Sequence, residues 1–179
     1  MLRDVPAAEA MKSDVDEMDG MIDGYLDFAR GAAGERAVDT DVNALLEDAV
    51  GDAQRLGGVV AFTARGDLHG RVRPLSLKRC LGNLLGNAQR YAETCALTAR
   101  RSGDVIEIIV DDDGPGIPED EREAAFRPFY RLENSRNQGT GGVGLGLAIT
   151  RDTLRNQGGD VTLDTAPQGG LRAIIHLPA

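Results

Sequence analysis

Two asparagines one helical turn apart, a carboxylate at the end of a strand, and a run of glycines at the start of a helix are the residues here best suited to chemistry. They lie in three boxes: Asn83-Leu84-Leu85-Gly86-Asn87-Ala88, then Asp112-Asp113-Gly114-Pro115-Gly116-Ile117, then Gly142-Val143-Gly144-Leu145-Gly146-Leu147-Ala148-Ile149. Each box alone is weak, because glycine strings and paired asparagines are common. Their order and spacing carry the signal.

In the first box Asn83 and Asn87 are four apart and share a helix face, with Arg90 one turn later on the same side. An amide carbonyl is a neutral, hard oxygen ligand, suited to a magnesium ion whose charge is already balanced by phosphates. Arg90 is able to pair with a phosphate directly. Gly82 and Gly86 weaken the helix by roughly 1 kcal/mol each relative to alanine, and they favour close approach of another element or a ligand. In the second box Asp112 is placed to accept a hydrogen bond from an exocyclic amine such as that of adenine. A buried carboxylate is costly until such a donor arrives, so it confers selectivity. Gly114 and Gly116 permit positive φ and clear the space where a flat base would lie. Asp111 and Asp113 are expected to be solvated or to cap a turn. In the third box the backbone N–H groups opening a helix face an anion, while Leu145, Leu147, Ala148 and Ile149 form its packing side. No lysine follows these glycines, so this is not a P-loop, and they are not set between a parallel strand and a helix with an acid about 20 residues later, as a dinucleotide fingerprint requires. The three boxes together describe a nucleotide pocket.

The elements that must position them are read from periodicity. Met11, Val15, Met18, Ile22, Tyr25 and Ala29 recur in steps of four and three, a heptad seam that predicts one long helix started near Pro6 and stopped by Gly31 and Gly34. A narrow seam of that kind wants a partner helix. Beyond it, Asp41 is expected to cap a helix carrying Leu45, Leu46, Ala49, Val50 and Ala53 that ends near Gly57-Gly58. Val59 to Thr63 and Leu68 to Arg73 are expected to form a strand pair around Arg65-Gly66-Asp67. Pro74 opens a helix whose stripe is Leu77, Cys80, Leu81, Leu84, Leu85 and Ala88. Thr94 to Arg101 and Asp104 to Val110 read as a hairpin. A short helix near Glu119 to Ala125, a helix from about Val143 to Asn156, and a hairpin turning on Pro167-Gln168-Gly169-Gly170 complete the set. Helices on a largely antiparallel sheet predict an α+β, two-layer α/β sandwich.

A length of 179 residues with 41% apolar and 27% charged side chains fits one cored domain plus a smaller element. The net charge of -9 argues against a nucleic-acid partner, since no basic block exists to neutralise phosphates along a duplex. Cys80 and Cys95 have no metal-ligand spacing, which points to a reduced, cytoplasmic setting. No apolar run approaches the roughly 20 residues of a membrane span, so no transmembrane segment is expected, although the parent protein is open to being a membrane sensor.

The three boxes resemble the N, G1 and G2 boxes of sensor histidine kinases, within the ATPase superfamily that also holds type II topoisomerases, mismatch-repair clamps and a heat-shock chaperone class. Phe126-Arg127-Pro128-Phe129-Tyr130-Arg131 resembles that family's F box, which separates the kinases from the other branches. Tyr25-Leu26-Asp27-Phe28-Ala29-Arg30 resembles the second helix of the dimerisation and phosphotransfer hairpin. The resemblance implies a division into residues 1–34, the hairpin helix, and 35–179, the catalytic ATP-binding domain. It implies ATP and magnesium as cofactors, with Asn87 on the metal and Asn83 nearby, and Arg90 and Tyr91 on the phosphates and nucleotide. Asp112 would read adenine, with Gly114, Gly116 and Ile117 shaping the slot. Arg131 to Gly141 would be the ATP lid, with Arg136 a phosphate contact, and Gly142, Gly144, Leu145 and Gly146 would cradle the phosphates. Asn87, Arg90 and Arg136 are the catalytic residues it implies. Its partners would be a phosphoacceptor-histidine helix, a response regulator, and a second copy in a homodimeric parent.

One feature departs from the family. The two histidines, His69 and His176, both lack the following acid and Thr-Pro of a phosphoacceptor box. Both read as ordinary strand residues, and the chain is expected to begin inside the hairpin, to bind ATP, and not to phosphorylate itself. Two other readings share the pocket. One is an anti-sigma-factor-type serine kinase, against which the heptad helix speaks. The other is a non-catalytic nucleotide-responsive interaction module.

Overall fold

The computed structural model describes residues 34–132 and 144–179. The segment of the expected heptad helix before Gly34 lies outside the described residues. β1 (Val38–Asp41) leads directly into α1 (Val42–Arg55). The Asp41 carboxylate accepts from Asn43 N at 3.0 Å and Ala44 N at 3.4 Å, the expected cap. Gly57, at φ 92°, turns the chain out of the helix end. β2 (Val59–Arg65), β3 (His69–Val72), α2 (Pro74–Tyr91), β4 (Thr94–Ser102) and β5 (Val105–Asp112) follow. Two 3₁₀ turns, Glu119–Glu121 and Ala124–Phe126, stand where one short helix was expected. α3 (Gly146–Arg155), β6 (Asp160–Ala166) and β7 (Gly169–Pro178) close the fold.

The main sheet has the order β2-β4-β5-β7-β6. β2 and β4 run parallel, because the chain crosses over through α2 between them, and every other neighbour is antiparallel. β2 and β3 therefore do not pair, contrary to the strand pair expected around Gly66. β3 leaves to form a separate two-stranded sheet with β1, Val38 opposite Val72 and Asp41 opposite His69. The four residues of β1, Val-Asp-Thr-Asp, are too short and too polar to be read as a strand from pattern alone.

One layer is the sheet and the other is the helices. Leu97, Ile106, Ile108, Ile175 and Leu177 point from alternate strand positions onto Leu46, Leu77, Leu81, Leu85 and Leu154 of the helices, all fully buried. Burying each such side chain is worth about 1.5–3 kcal/mol relative to leaving it exposed. The expected stripe of α2 is buried at every position, Leu77, Cys80, Leu81, Leu84, Leu85 and Ala88. That burial turns the opposite face of α2, with Asn83, Asn87 and Arg90, away from the sheet.

Candidate nucleotide site

The site is built on the polar face of α2. The Asn83 amide donates at 3.3 Å to the Gly146 carbonyl and at 3.3 Å to the Thr150 hydroxyl, which ties α2 to the first turn of α3. Asn87, one turn along, is half-buried. Gly86 lies between them on the same face, and a Cβ built there would meet nothing within 4 Å. The second glycine thus leaves open space beside the two asparagines, not a tight helix contact. Among the described residues no group of three or more His, Cys, Asp or Glu side chains is arranged to hold a metal. The neutral amide of Asn87 fits a magnesium ion only if a nucleotide's phosphates supply the negative charge.

α3 opens without a side-chain cap, so the N–H groups of its first turn have no side-chain acceptor and are available to an anion. Gly144, just before it, sits at φ 73°, and a Cβ there would fall 2.7 Å from the Tyr130 carbonyl oxygen. Leu145 is buried, so its contribution is packing together with its backbone. Gly142 and Arg136 lie outside the described residues.

At the end of β5, Asp112 is 7% exposed. Its Oδ1 accepts from Gly114 N at 2.9 Å and from Leu171 N at 3.0 Å. One oxygen is thus committed to the backbone, and Oδ2 is left to take a donor from outside. Gly114 is required by its neighbour, since a Cβ would sit 2.6 Å from the Tyr91 carbonyl oxygen. Gly116, at φ 69°, lies against the Gly170 backbone. Ile117 is half-buried against the core. Arg90, Tyr91, Glu93, Asp113, Gly114 and Pro115 line a cleft of about 500 Å³ between the end of α2 and the second box. Beside Asp112, burial and then the Asp112 charge push the Cys95 thiol up to about 11, so it stays protonated at neutral pH.

The two flanking acids divide. Asp113 behaves as expected, capping the start of β4 by accepting from Glu93 N, Thr94 N and the Thr94 hydroxyl, and that hydroxyl bond leads the causes that lower its carboxyl. Asp111 corrects the expectation. It is 8% exposed and pairs through both oxygens with Arg172, at 2.7 and 2.8 Å. The residues directly face each other on β5 and β7, a pairing that no local pattern contains.

Gly170 and Leu171 were missed as site residues, because Gly169-Gly170 reads only as a turn. A Cβ at Gly170 would fall 1.9 Å from the Asp112 carbonyl oxygen. In the F-box stretch, Phe126 packs against the core, while Phe129 is exposed at φ 63°, an unusual backbone for an aromatic residue. His69 bonds Asp67 at the start of β3, and that bond raises its pKa. His176 stands on β7 near Glu107. Both are strand residues as expected, and neither lines the cleft.

The family described as histidine kinase-, DNA gyrase B-, and HSP90-like ATPase matches residues 72–179, more than half of the chain and all three boxes. The chain belongs to this ATPase family. Among curated relatives of this ATPase domain, the sensor histidine kinase GtrS of Pseudomonas aeruginosa is 36% identical over 179 residues, covering 99% of this chain and 37% of the relative. The sensor histidine kinase CpxA of Escherichia coli is 33% identical over 180 residues, covering 95% of this chain and 39% of the relative. The chain thus spans about two fifths of the length of these relatives. The ATP-binding domain of PrrB from Mycobacterium tuberculosis superimposes with a TM-score of 0.68 at 29% identity, covering 80% of this chain and 98% of that one. Full-length ShkA in complex with AMPPNP shares the fold with a TM-score of 0.73 at 23% identity, over 99% of this chain and 39% of that one. Among the described residues, no helix of this ATPase domain is long and apolar enough to cross a membrane.

Proposed function

We propose that this chain is the nucleotide-holding part of a two-component sensor histidine kinase, which positions Mg-ATP for γ-phosphoryl transfer to a histidine supplied from outside these 179 residues. The observation that carries the reading is the junction at Asn83. It brings the asparagine face of α2 against the uncapped start of α3, with Asp112 buried at the far end of α2. A phosphate chain laid along α2 then meets amides at one end, while its base meets Asp112 at the other. Similarity to GtrS and CpxA supports the choice of a kinase within the family.

Each residue has a distinct task in this reading. Asn87 would hold magnesium through its carbonyl oxygen, the ion supplying charge neutralisation to the phosphates, and Arg90 would meet the phosphates from the next turn. Asp112 Oδ2 accepts the adenine amino hydrogen, while Gly114 and Gly116 keep the slot flat. The amides from Gly144 to Gly146 cradle the phosphates. Arg136 remains a phosphate contact expected from sequence alone. Transfer is then a matter of positioning and charge stabilisation. The phosphoryl group passes on to an aspartate of a response regulator, and the parent works as a homodimer.

The test supplies a hairpin carrying the phosphoacceptor histidine and follows phosphate from ATP. Acid-labile, alkali-stable phosphate on the hairpin is the expected product. Acid-stable phosphoserine would instead indicate a serine kinase, and binding without transfer an interaction module. Within the pocket, Asn87→Ala removes magnesium-dependent ATP binding, measured by calorimetry with and without the metal. Asp112→Asn retains an oxygen for Gly114 and Leu171 but turns a donor toward the base, so ATP preference over GTP falls by at least about tenfold in competition binding.

A further inference from the structure

Arg151, on α3, joins three elements through one guanidinium. Its Nη1 donates to the Glu123 carboxylate at 2.7 Å, its Nε lies 3.4 Å from Asp160 Oδ1, and its Cζ stands 4.2 Å from the centre of the Phe126 ring. The Arg151 side chain is only 16% exposed, although the Glu123 side chain is 77% exposed, so the Phe126 ring rather than the ion pair does most of the fixing. An exposed ion pair would be worth little, but a planar cation stacked on a ring and mostly covered holds its partners in one geometry. Glu123 and Phe126 belong to the turn that leads into Phe129. There the Phe129 amide donates at 2.9 Å to the Gly144 carbonyl, Phe129 holds its positive φ, and the Gly144 Cα faces the Tyr130 carbonyl closely enough to forbid a side chain. The stretch 126–130 and the glycines that open α3 therefore pack as one unit, and Arg151 fastens that unit to the helix.

We propose that Arg151 is a positioning residue for the phosphate chain: by holding Phe126 and Glu123 it sets the register of Phe129 on Gly144, and so the direction of the amides that open α3. This rests on the reading of that helix start as the phosphate cradle. The adenine end is anchored separately, through Asp112, Gly114 and Leu171, so a loosened Arg151 unit affects phosphates and spares the base.

The experiment measures ATP and adenosine affinity by calorimetry for the full chain and for Arg151→Gln, Arg151→Lys, Phe126→Leu and the Arg151→Gln/Phe126→Leu pair. Arg151→Gln weakens ATP about tenfold, the effect of misaligning roughly one charge-assisted hydrogen bond, while adenosine stays within about twofold. Arg151→Lys keeps the charge toward Glu123 and Asp160 without the planar stack, and recovers part of the loss. Phe126→Leu weakens ATP as well, and the double variant is less impaired than the sum of the singles. Equal weakening of ATP and adenosine marks a merely structural role and overturns the inference, as does strict additivity or unchanged ATP affinity in Arg151→Gln. A wild-type chain that binds no ATP overturns the pocket reading along with it, whereas wild-type binding with an unaffected Arg151→Gln overturns this inference alone.

Discussion

At the scale of single residues, the packing of β7 against Asp112 depends on an atom that is missing. Gly170 lies so close to Asp112 that a methyl group would overlap its carbonyl oxygen, and the nearest clashing atoms are main chain, which cannot rotate away. Gly170→Ala must therefore push β7 away from β5 at the point where Leu171 N holds Asp112 Oδ1. The expected cost is about 1–3 kcal/mol in thermal or urea unfolding, together with weakened ATP binding. Gly82→Ala serves as the control, because its Cβ would meet nothing within 4 Å, and it stabilises α2 by up to about 1 kcal/mol. The local shape at Asp112 and Gly114 was readable in sequence, because a strand end followed by Gly-x-Gly specifies a tight turn. Gly170 carries no comparable signal, since its constraint comes from a residue 58 positions away.

At the scale of elements, α2 starts without a cap of its own: Arg73 stands at the N-cap and makes no side-chain hydrogen bond there. Glu35 supplies the cap from 40 residues upstream. Its carboxylate accepts from Leu75 N at 2.7 Å, Ser76 N at 3.0 Å and the Ser76 hydroxyl at 2.6 Å. Burial alone would raise this carboxyl, but the Ser76 hydroxyl, the two amides and Arg73 together outweigh it and hold it below its ordinary 4.5. Glu35→Ala is expected to cost about 1 kcal/mol. Because the folded-state pKa is lowered, the stability gained from ionised Glu35 is fully present above the unfolded value and is lost as pH falls through the folded one. Urea midpoints of wild type and Glu35→Gln should therefore differ at neutral pH and converge in acid. The clasp holds the helix that carries Asn83 and Asn87, yet the sequence offers only an isolated acid beside Gly34. Helix α1 was legible together with its Asp41 cap, because both partners sit within three residues of each other. The Glu35 cap was not, because its partners are distant.

At the scale of the molecule, the described residues enclose a single core between sheet and helices, to which β2, β4, β5, β6 and β7 all contribute. Residues 35–179 without the N-terminal segment are accordingly expected to unfold in one cooperative transition and to bind ATP within about twofold of the full chain, measured by melting and calorimetry. Failure to fold would move the domain boundary upstream. The sequence by itself determined the periodic stripes, the cap of α1, the two long hairpins and the three boxes, since each is written in neighbours a few residues apart. Tertiary structure alone decided that β3 leaves β2 for β1, that Asp111 answers Arg172, that Gly170 lies against Asp112 and that Arg151 clasps Glu123 and Phe126. These are contacts between segments 25 or more residues apart or choices between competing partners, and they are settled by which surfaces the core brings together.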